Sequence, residues 1–336
     1  MADQTATQTA VEKPGHRIYV APSPHIINTG LTARRMMLDV LIALAPVLIA
    51  SGIVFQIYAL RQVTICVASC VIAELVFTAL RRKPASVGDL SAVVTGVILA
   101  LSLPGTAPWY VGVIAGVVAI GIGKIVFGGL GQNMFNPAMV GRAFVMIAFA
   151  KMLGATAYVD PASAVQAVTQ ATPMQVFKQE GVVTPLLSLF LGNTNGSLGE
   201  TSALACLLGG LYLCIRRTAS WEIPLGVILS VGAIGLAQDA LNGGNGWSAL
   251  HHLLGGALLF GAFFIATDPA SSPLTPKGKF IFGLGIGLLV MLMRTFSSYP
   301  EGVMFAVLLM NSVVPMINRW TIPRPVGGPV PQPEAK

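Results

Sequence analysis

The chain has very little charge. Of its 336 residues only 10% are Asp, Glu, Lys or Arg, while 54% are hydrophobic and the mean hydropathy is +0.76. Soluble domains carry about a quarter charged residues, because a wetted surface needs them. The shortage excludes an ordinary soluble domain and points to a polytopic membrane protein, whose apolar surface faces lipid or neighbouring helices. Cysteine is also scarce. Cys66, Cys70, Cys206 and Cys214 all lie in apolar runs, and no CxxC occurs. Cys66 and Cys70 share a helix face, yet small packable membrane residues are a plainer reading than a metal or iron–sulfur site. No GxGxxG follows a strand pattern, so no NADH site is expected in this chain. No short apolar core with a cleavage site occurs within residues 1–35, so no signal peptide is expected. The net charge of +7 suggests nucleic acid at first sight. The cations cluster at the ends of apolar runs, however, as topology determinants do, and nucleic acid is excluded as a partner.

What is present is a succession of apolar runs. Ten spans are expected, at Met37–Leu60, Gln62–Leu80, Asp89–Leu103, Trp109–Phe127, Met139–Met152, Thr201–Ile215, Ile223–Leu241, Ala249–Thr267, Phe280–Met293 and Val303–Ile317. The third is short for a helix that needs about 20 residues to cross. Trp109 and Tyr110 read as interfacial aromatics. The expected fold is all-α and polytopic, with about ten transmembrane helices in two five-helix halves and with broken helices. Residues 1–35 form an N-terminal tail, 36–152 and 201–318 the two halves, 153–200 a polar segment between them, and 319–336 a C-terminal tail. An even number of spans puts both termini on one side. Fifteen of the 20 Lys and Arg residues then share the side of the termini. The positive-inside rule makes that side cytoplasmic and places 153–200 outside, in the periplasm or its equivalent.

Two interruptions stand out. Gly128–Ala138 (GGLGQNMFNPA) has three glycines and a proline, which argues for unwound backbone, and Asp268-Pro269-Ala270-Ser271-Ser272-Pro273 breaks the later pattern. Asn136-Pro137-Ala138 after the fourth span and Asp268-Pro269-Ala270 after the eighth form a weak repeat. Five spans per half would invert the halves, yet both motifs fall on the cytoplasmic side, so the likeness is either local or a true repeat. Asn133, Asn136 and Asp268 form a candidate polar cluster, because half-helix ends and unwound backbone bind ligands in membrane proteins. A plainer role for the asparagines is to satisfy backbone groups freed near Pro137. Among the carboxylates, Glu74 lies deepest, whereas Asp39, Glu222 and Glu301 read as interfacial charges at span ends. Arg142 reads as a snorkelling anchor. His251 and His252 are adjacent and face different sides of a helix, which disfavours one metal site using both. Thr172, between Ala171 and Pro173, is expected to be open to solvent and suited to covalent modification, although spacing alone favours an ordinary turn threonine.

Four blocks carry a resemblance: Gly128–Arg142 (GGLGQNMFNPAMVGR), Ser197–Ser202 (SLGETS), Ala266–Lys279 (ATDPASSPLTPKGK) and Tyr299–Asn311 (YPEGVMFAVLLMN). In this order they resemble the RnfD/NqrB family, which comprises the RnfD component of the Rnf ion-translocating oxidoreductase and its relative in the sodium-pumping NADH:quinone reductase. The likeness runs from about Ile26 to Trp320. It implies an electron-carrying subunit of a bacterial inner-membrane complex that couples NADH/ferredoxin electron flow to Na+ or H+ translocation. It also implies FMN joined through a phosphoester to Thr172, since Thr169-Gln170-Ala171-Thr172 matches the family's Ser-Gly-Ala-Thr-like motif, with Thr for Ser and Gln for Gly. A noncovalent riboflavin held at Asn133, Asn136 and Asp268 is implied as well, with no metal. Implied partners are the other Rnf subunits (A, B, C, E and G) and a periplasmic flavin transferase. Glu301, in the last block, and Glu74 become ion-pathway candidates. Broken spans and the two loops serve a non-redox secondary transporter or channel equally well.

Overall fold

A computed structural model describes residues 32–82, 86–153, 172–192, 194–241, 247–297 and 302–323. Helices are the only regular structure among them. Five are long and apolar enough to cross a membrane: α1 Ala33–Phe55, α2 Ile57–Leu80, α10 Glu222–Leu241, α13 Pro276–Phe296 and α14 Val303–Thr321. The remaining apolar runs give shorter elements. α3 spans Ser91–Ser102, α4 Trp109–Ile120, α5 Pro137–Ala148, α6 Ala150–Leu153 and α9 Ala203–Ile215. Between α6 and α9 lie α7, Pro173–Glu180, and α8, Leu186–Leu191.

Two boundaries differ from expectation. The first and second runs meet at Gln56, whose φ of +48° makes the turn, rather than near Arg61. The eighth run is not one helix: α11 (Ala249–Leu254) stops at Gly255, Gly256 adopts φ +71°, and the chain resumes as α12 (Leu258–Phe260). Hydropathy stays high across this break, so periodicity could not find it.

Both α4 and α12 end in a π-helical turn that begins with glycine, Gly121–Ile125 and Gly261–Ile265. Their wide turns close through Val126 N–H to Gly121 O at 3.0 Å and Ala266 N–H to Gly261 O at 2.8 Å. The weak repeat in the sequence is therefore longer in structure: each motif follows a π turn. Such turns inside α-helices are concentrated at functional sites.

Helix starts follow local chemistry. Asn136 and Thr275 each precede a proline at the first helical position and accept from Met139 N–H (3.3 Å) and Gly278 N–H (3.0 Å). Ser202 does the same for α9 through Ala205 N–H, 3.2 Å. α1 packs on α9, α2 on α3 and α4, α4 on α5, and α10 on α13. At the α1–α9 contact a Cβ on Gly209 would lie 2.0 Å from the Ala43 carbonyl oxygen. Small residues allow this backbone approach, which supplies packing where lipid offers no hydrophobic drive. Gly209→Leu is expected to cost about 1–3 kcal/mol or more by overpacking, read as a lowered thermal midpoint in detergent, with Gly52→Leu, at an open position, as the tolerated control.

Candidate functional site

The two π turns deliver their loops to the same place. Asn136 donates Nδ2–H to Ile265 O at 3.2 Å, so the first loop is tied to the end of the second π turn. Asn311 on α14 completes the frame. Its Oδ1 accepts Asn136 N–H at 3.3 Å and its Nδ2–H reaches Ser271 O at 2.8 Å. Asn311 is 1% exposed. It was not singled out in the sequence, although it ends one of the four blocks. A buried asparagine facing two loops has no signature until the loops are placed.

Asn133, Asn136 and Asp268 line one cleft, as expected of a cluster. Lys124, Ser91, Thr95, Thr218 and Phe264 line it too, and its empty volume is about 770 Å3 with the open mouth included. The three predicted residues are not equivalent. Both ends of the Asn136 amide are spent on backbone, at Ile265 O and Met139 N–H, so Asn136 shapes the cleft. Asp268, in the loop beyond the π turn, accepts from Ser271 Oγ at 2.9 Å and Ala270 N–H at 3.3 Å. Burial pushes its carboxyl up from the usual range, against the lowering by Ser271, the Ala270 N–H and Asn133. Asn133 also donates to Phe135 O at 3.0 Å.

Beside the cleft Glu74 is fully buried, and Lys124 Nζ lies 2.7 Å from its Oε1. Lys124 comes from the first π turn and also donates to Ser91 Oγ at 2.5 Å, at the start of α3. Ser86 Oγ–H donates to the same Glu74 oxygen, while Glu74 Oε2 has no hydrogen-bond partner among the described residues. The cation nearest to Glu74 in sequence is Arg81, just past the end of α2. The fold supplies Lys124 instead.

Asp39 is buried rather than interfacial. It accepts from Thr218 Oγ1 at 3.1 Å and from Tyr212 and Arg216 at 3.4 Å, because α9 crosses α1 there. Arg142 does not snorkel: it is buried, 3.8 Å from Glu200 in the segment that approaches the end of α3. In that segment Leu198 N–H and Gly199 N–H donate to Leu103 O and Leu101 O at 3.2 and 2.7 Å.

Thr172 departs most from expectation. It is 3% exposed rather than solvent-facing, and its hydroxyl has no hydrogen-bond partner among the described residues. It stands at the N-cap position of α7 without capping it. Met174 explains the burial: it packs with Leu189, Trp247 and Phe177 in a small apolar cluster that draws the start of α7 inward. A small pocket is lined by Thr172, Thr194, Asn195, Glu200, Trp247 and Gly256. The indole N–H of Trp247 is also buried there without a hydrogen-bond partner among the described residues. Lys178, later on α7, donates to Ser297 O at 2.9 Å, and its pKa is lowered by burial and by Arg294. Thr169, Gln170 and Ala171 lie outside the described residues, as does Glu301.

The four sequence blocks thus lock together. Asn136 of the first holds Ile265 beside the third, Glu200 of the second meets Arg142 of the first, and Asn311 of the fourth ties the first to the third. A family model described as the NQR2, RnfD, RnfE family matches residues 19–327. The chain belongs to that family. It is similar to the D subunit of the Na(+)-translocating ferredoxin:NAD(+) oxidoreductase complex of Acetobacterium woodii, 43% identical over 94% of this chain and 98% of the relative. It is 37% identical to the D subunit of the proton-translocating ferredoxin:NAD(+) oxidoreductase complex of Clostridium ljungdahlii, over 90% and 94%. It is 39% identical to the D subunit of the ion-translocating oxidoreductase complex of Halorhodospira halophila, again over 90% and 94%. For a member of the NQR2, RnfD, RnfE family the convergence of the blocks gives Asn311 a structural task. Asn311→Leu leaves the Asn136 N–H and the Ser271 carbonyl unpaired, and each orphaned buried group costs about 1–3 kcal/mol. A clear drop in thermal midpoint is expected, whereas exposed Ser312→Ala is expected to stay within about 0.5 kcal/mol.

Proposed function

We propose that the chain is the membrane electron-carrying subunit of an ion-translocating ferredoxin:NAD oxidoreductase, with FMN joined to Thr172 through its phosphate and riboflavin held noncovalently in the cleft. One observation carries the reading: the Thr172 hydroxyl is buried without a hydrogen-bond partner among the described residues, in a residue that lines a pocket at the start of an eight-residue helix. A buried hydroxyl without a partner is costly, and forming an ester there removes the donor. A helix start also favours the phosphate charge. The Glu200 carboxylate beside the pocket is balanced by Arg142. In the cleft, Asn133 and Asp268 offer polar groups while Asn136 holds the wall.

The two places lie at opposite ends of one broken segment. Gly256 lines the Thr172 pocket and Phe264 the cleft. The chain between them is α12 and most of the second π turn, Gly261–Ile265. Bound flavins supply the electron transfer, and the chain supplies position and electrostatics. Glu74, buried beside the cleft, is a candidate for the path of Na+ or H+, and Glu301 is the second. The termini are cytoplasmic and Thr172 faces the periplasm, where a flavin transferase loads it. Electrons enter and leave through the other subunits of the complex, A, B, C, E and G, in the bacterial inner membrane.

Protein coexpressed with a flavin transferase should give a fluorescent band after denaturing electrophoresis, and Thr172→Ala should be dark. Fluorescence surviving in that variant would place the flavin elsewhere. A dark wild type with intact transport would favour a non-redox transporter. Acid extraction of purified complex should release riboflavin, at least tenfold less from Asp268→Ala. Undiminished riboflavin in both Asp268→Ala and Asn136→Ala would remove the cleft from consideration.

A further inference from the structure

We infer that Lys124 is the charge through which Glu74 responds to the redox state of the cleft's occupant, an inference that rests on the reading of the cleft as a flavin site. Lys124 touches both places. Its Nζ is 2.7 Å from Glu74 Oε1, yet the residue lines the cleft together with Asn133 and Asp268. It is 2% exposed and carried on the π turn Gly121–Ile125. The pair is buried but not closed. Glu74 uses Oε1 for both Lys124 and Ser86, and its Oε2 has no hydrogen-bond partner among the described residues. A buried ion pair recovers its desolvation cost only when the remaining lone pairs are satisfied.

The surrounding groups restrict where the ammonium can go. Ser91 Oγ accepts from Lys124 at 2.5 Å and donates its own proton to Asp89 Oδ1 at 2.5 Å. On the side of the cleft stands Asp268, already engaged by Ser271 and Ala270. A flavin held in the cleft would become one unit more negative for each electron it accepted. In a low-dielectric interior that change acts strongly on a nearby ammonium. Lys124 then shifts its interaction toward the cleft, and Glu74 is left with uncompensated charge and a free oxygen for a cation. When the electron passes to the next carrier, Lys124 returns to Glu74 and the cation leaves. One electron in accompanies one cation bound, and the coupling is reciprocal, because a cation at Glu74 must favour the electron by the same factor.

The test is potentiometric titration of the noncovalent flavin in the purified complex. Lys124→Met should lower the midpoint potential by at least a tenfold change in the reduced-to-oxidised ratio, about 59 mV for one electron. Glu74→Gln, which removes the competing negative charge, should raise it. Lys124→Arg should stay near wild type, and the double variant Glu74→Gln/Lys124→Met should fall between the singles and guards against misfolding of either. Shifts of the same sign in both singles, or none in either, would overturn the inference while leaving the flavin site standing. A wild-type complex that releases no noncovalent flavin would overturn the site itself, and the inference with it.

Discussion

A backbone that is interrupted inside a membrane must find partners for its freed N–H and C=O groups, and the whole arrangement of this protein depends on that constraint. Each interruption is closed by another part of the chain. The π turn ending at Ile265 is held by Asn136. The end of α3 offers Leu101 and Leu103 carbonyls to the amides of Gly199 and Leu198. The break between α11 and α12 is capped by buried Arg294, which donates to the carbonyls of His252 and Gly255. These closures bring distant sequence together and gather polar groups in an otherwise apolar interior. Polar side chains collected for structural reasons are then available for ligands.

The same closures explain the placement of charge. Among the described residues Glu74, Asp39 and Glu200 are each buried, and each meets a cation from a different element. Removing one partner from a buried pair typically costs several kcal/mol, since the other is left uncompensated. The pairs therefore fix register between helices. Glu74 and Lys124 differ from Asp39 and Arg216 in one respect. Asp39 uses both carboxylate oxygens, accepting from Thr218 as well, while Glu74 Oε2 has no hydrogen-bond partner among the described residues.

The α11–α12 break also links the two proposed flavin sites. Gly255 and Gly256 open the pocket at Thr172, and the segment that resumes at Leu258 ends at the cleft. A continuous helix there would have filled the pocket with side chains. The broken one leaves a short, rigid connector, with Phe260 and Phe264 stacked along it at 5.5 Å between ring centroids.

Sequence alone determined what solvent composition and local chemistry determine. The charge deficit gave the membrane class, glycines and prolines marked the interrupted loops, and Asn133, Asn136 and Asp268 were legible as a cluster because all three sit in those loops. The membership of the family was readable from four ordered blocks. Tertiary structure decided the rest. Burial of Thr172 depends on Met174 meeting Trp247 across 73 residues, and no window along the chain contains that contact. Asp39 and Arg142 looked like charges at span ends, since hydropathy sees only neighbours in sequence; their partners Arg216 and Glu200 arrive from other elements. Glu74 was visible as a buried acid, but Lys124, 50 residues on, could be recognised as its partner only once a π turn had rotated it inward. Apolar patterning reports which residues avoid water. Which polar groups find one another inside is settled by helix packing, because only packing sets distances.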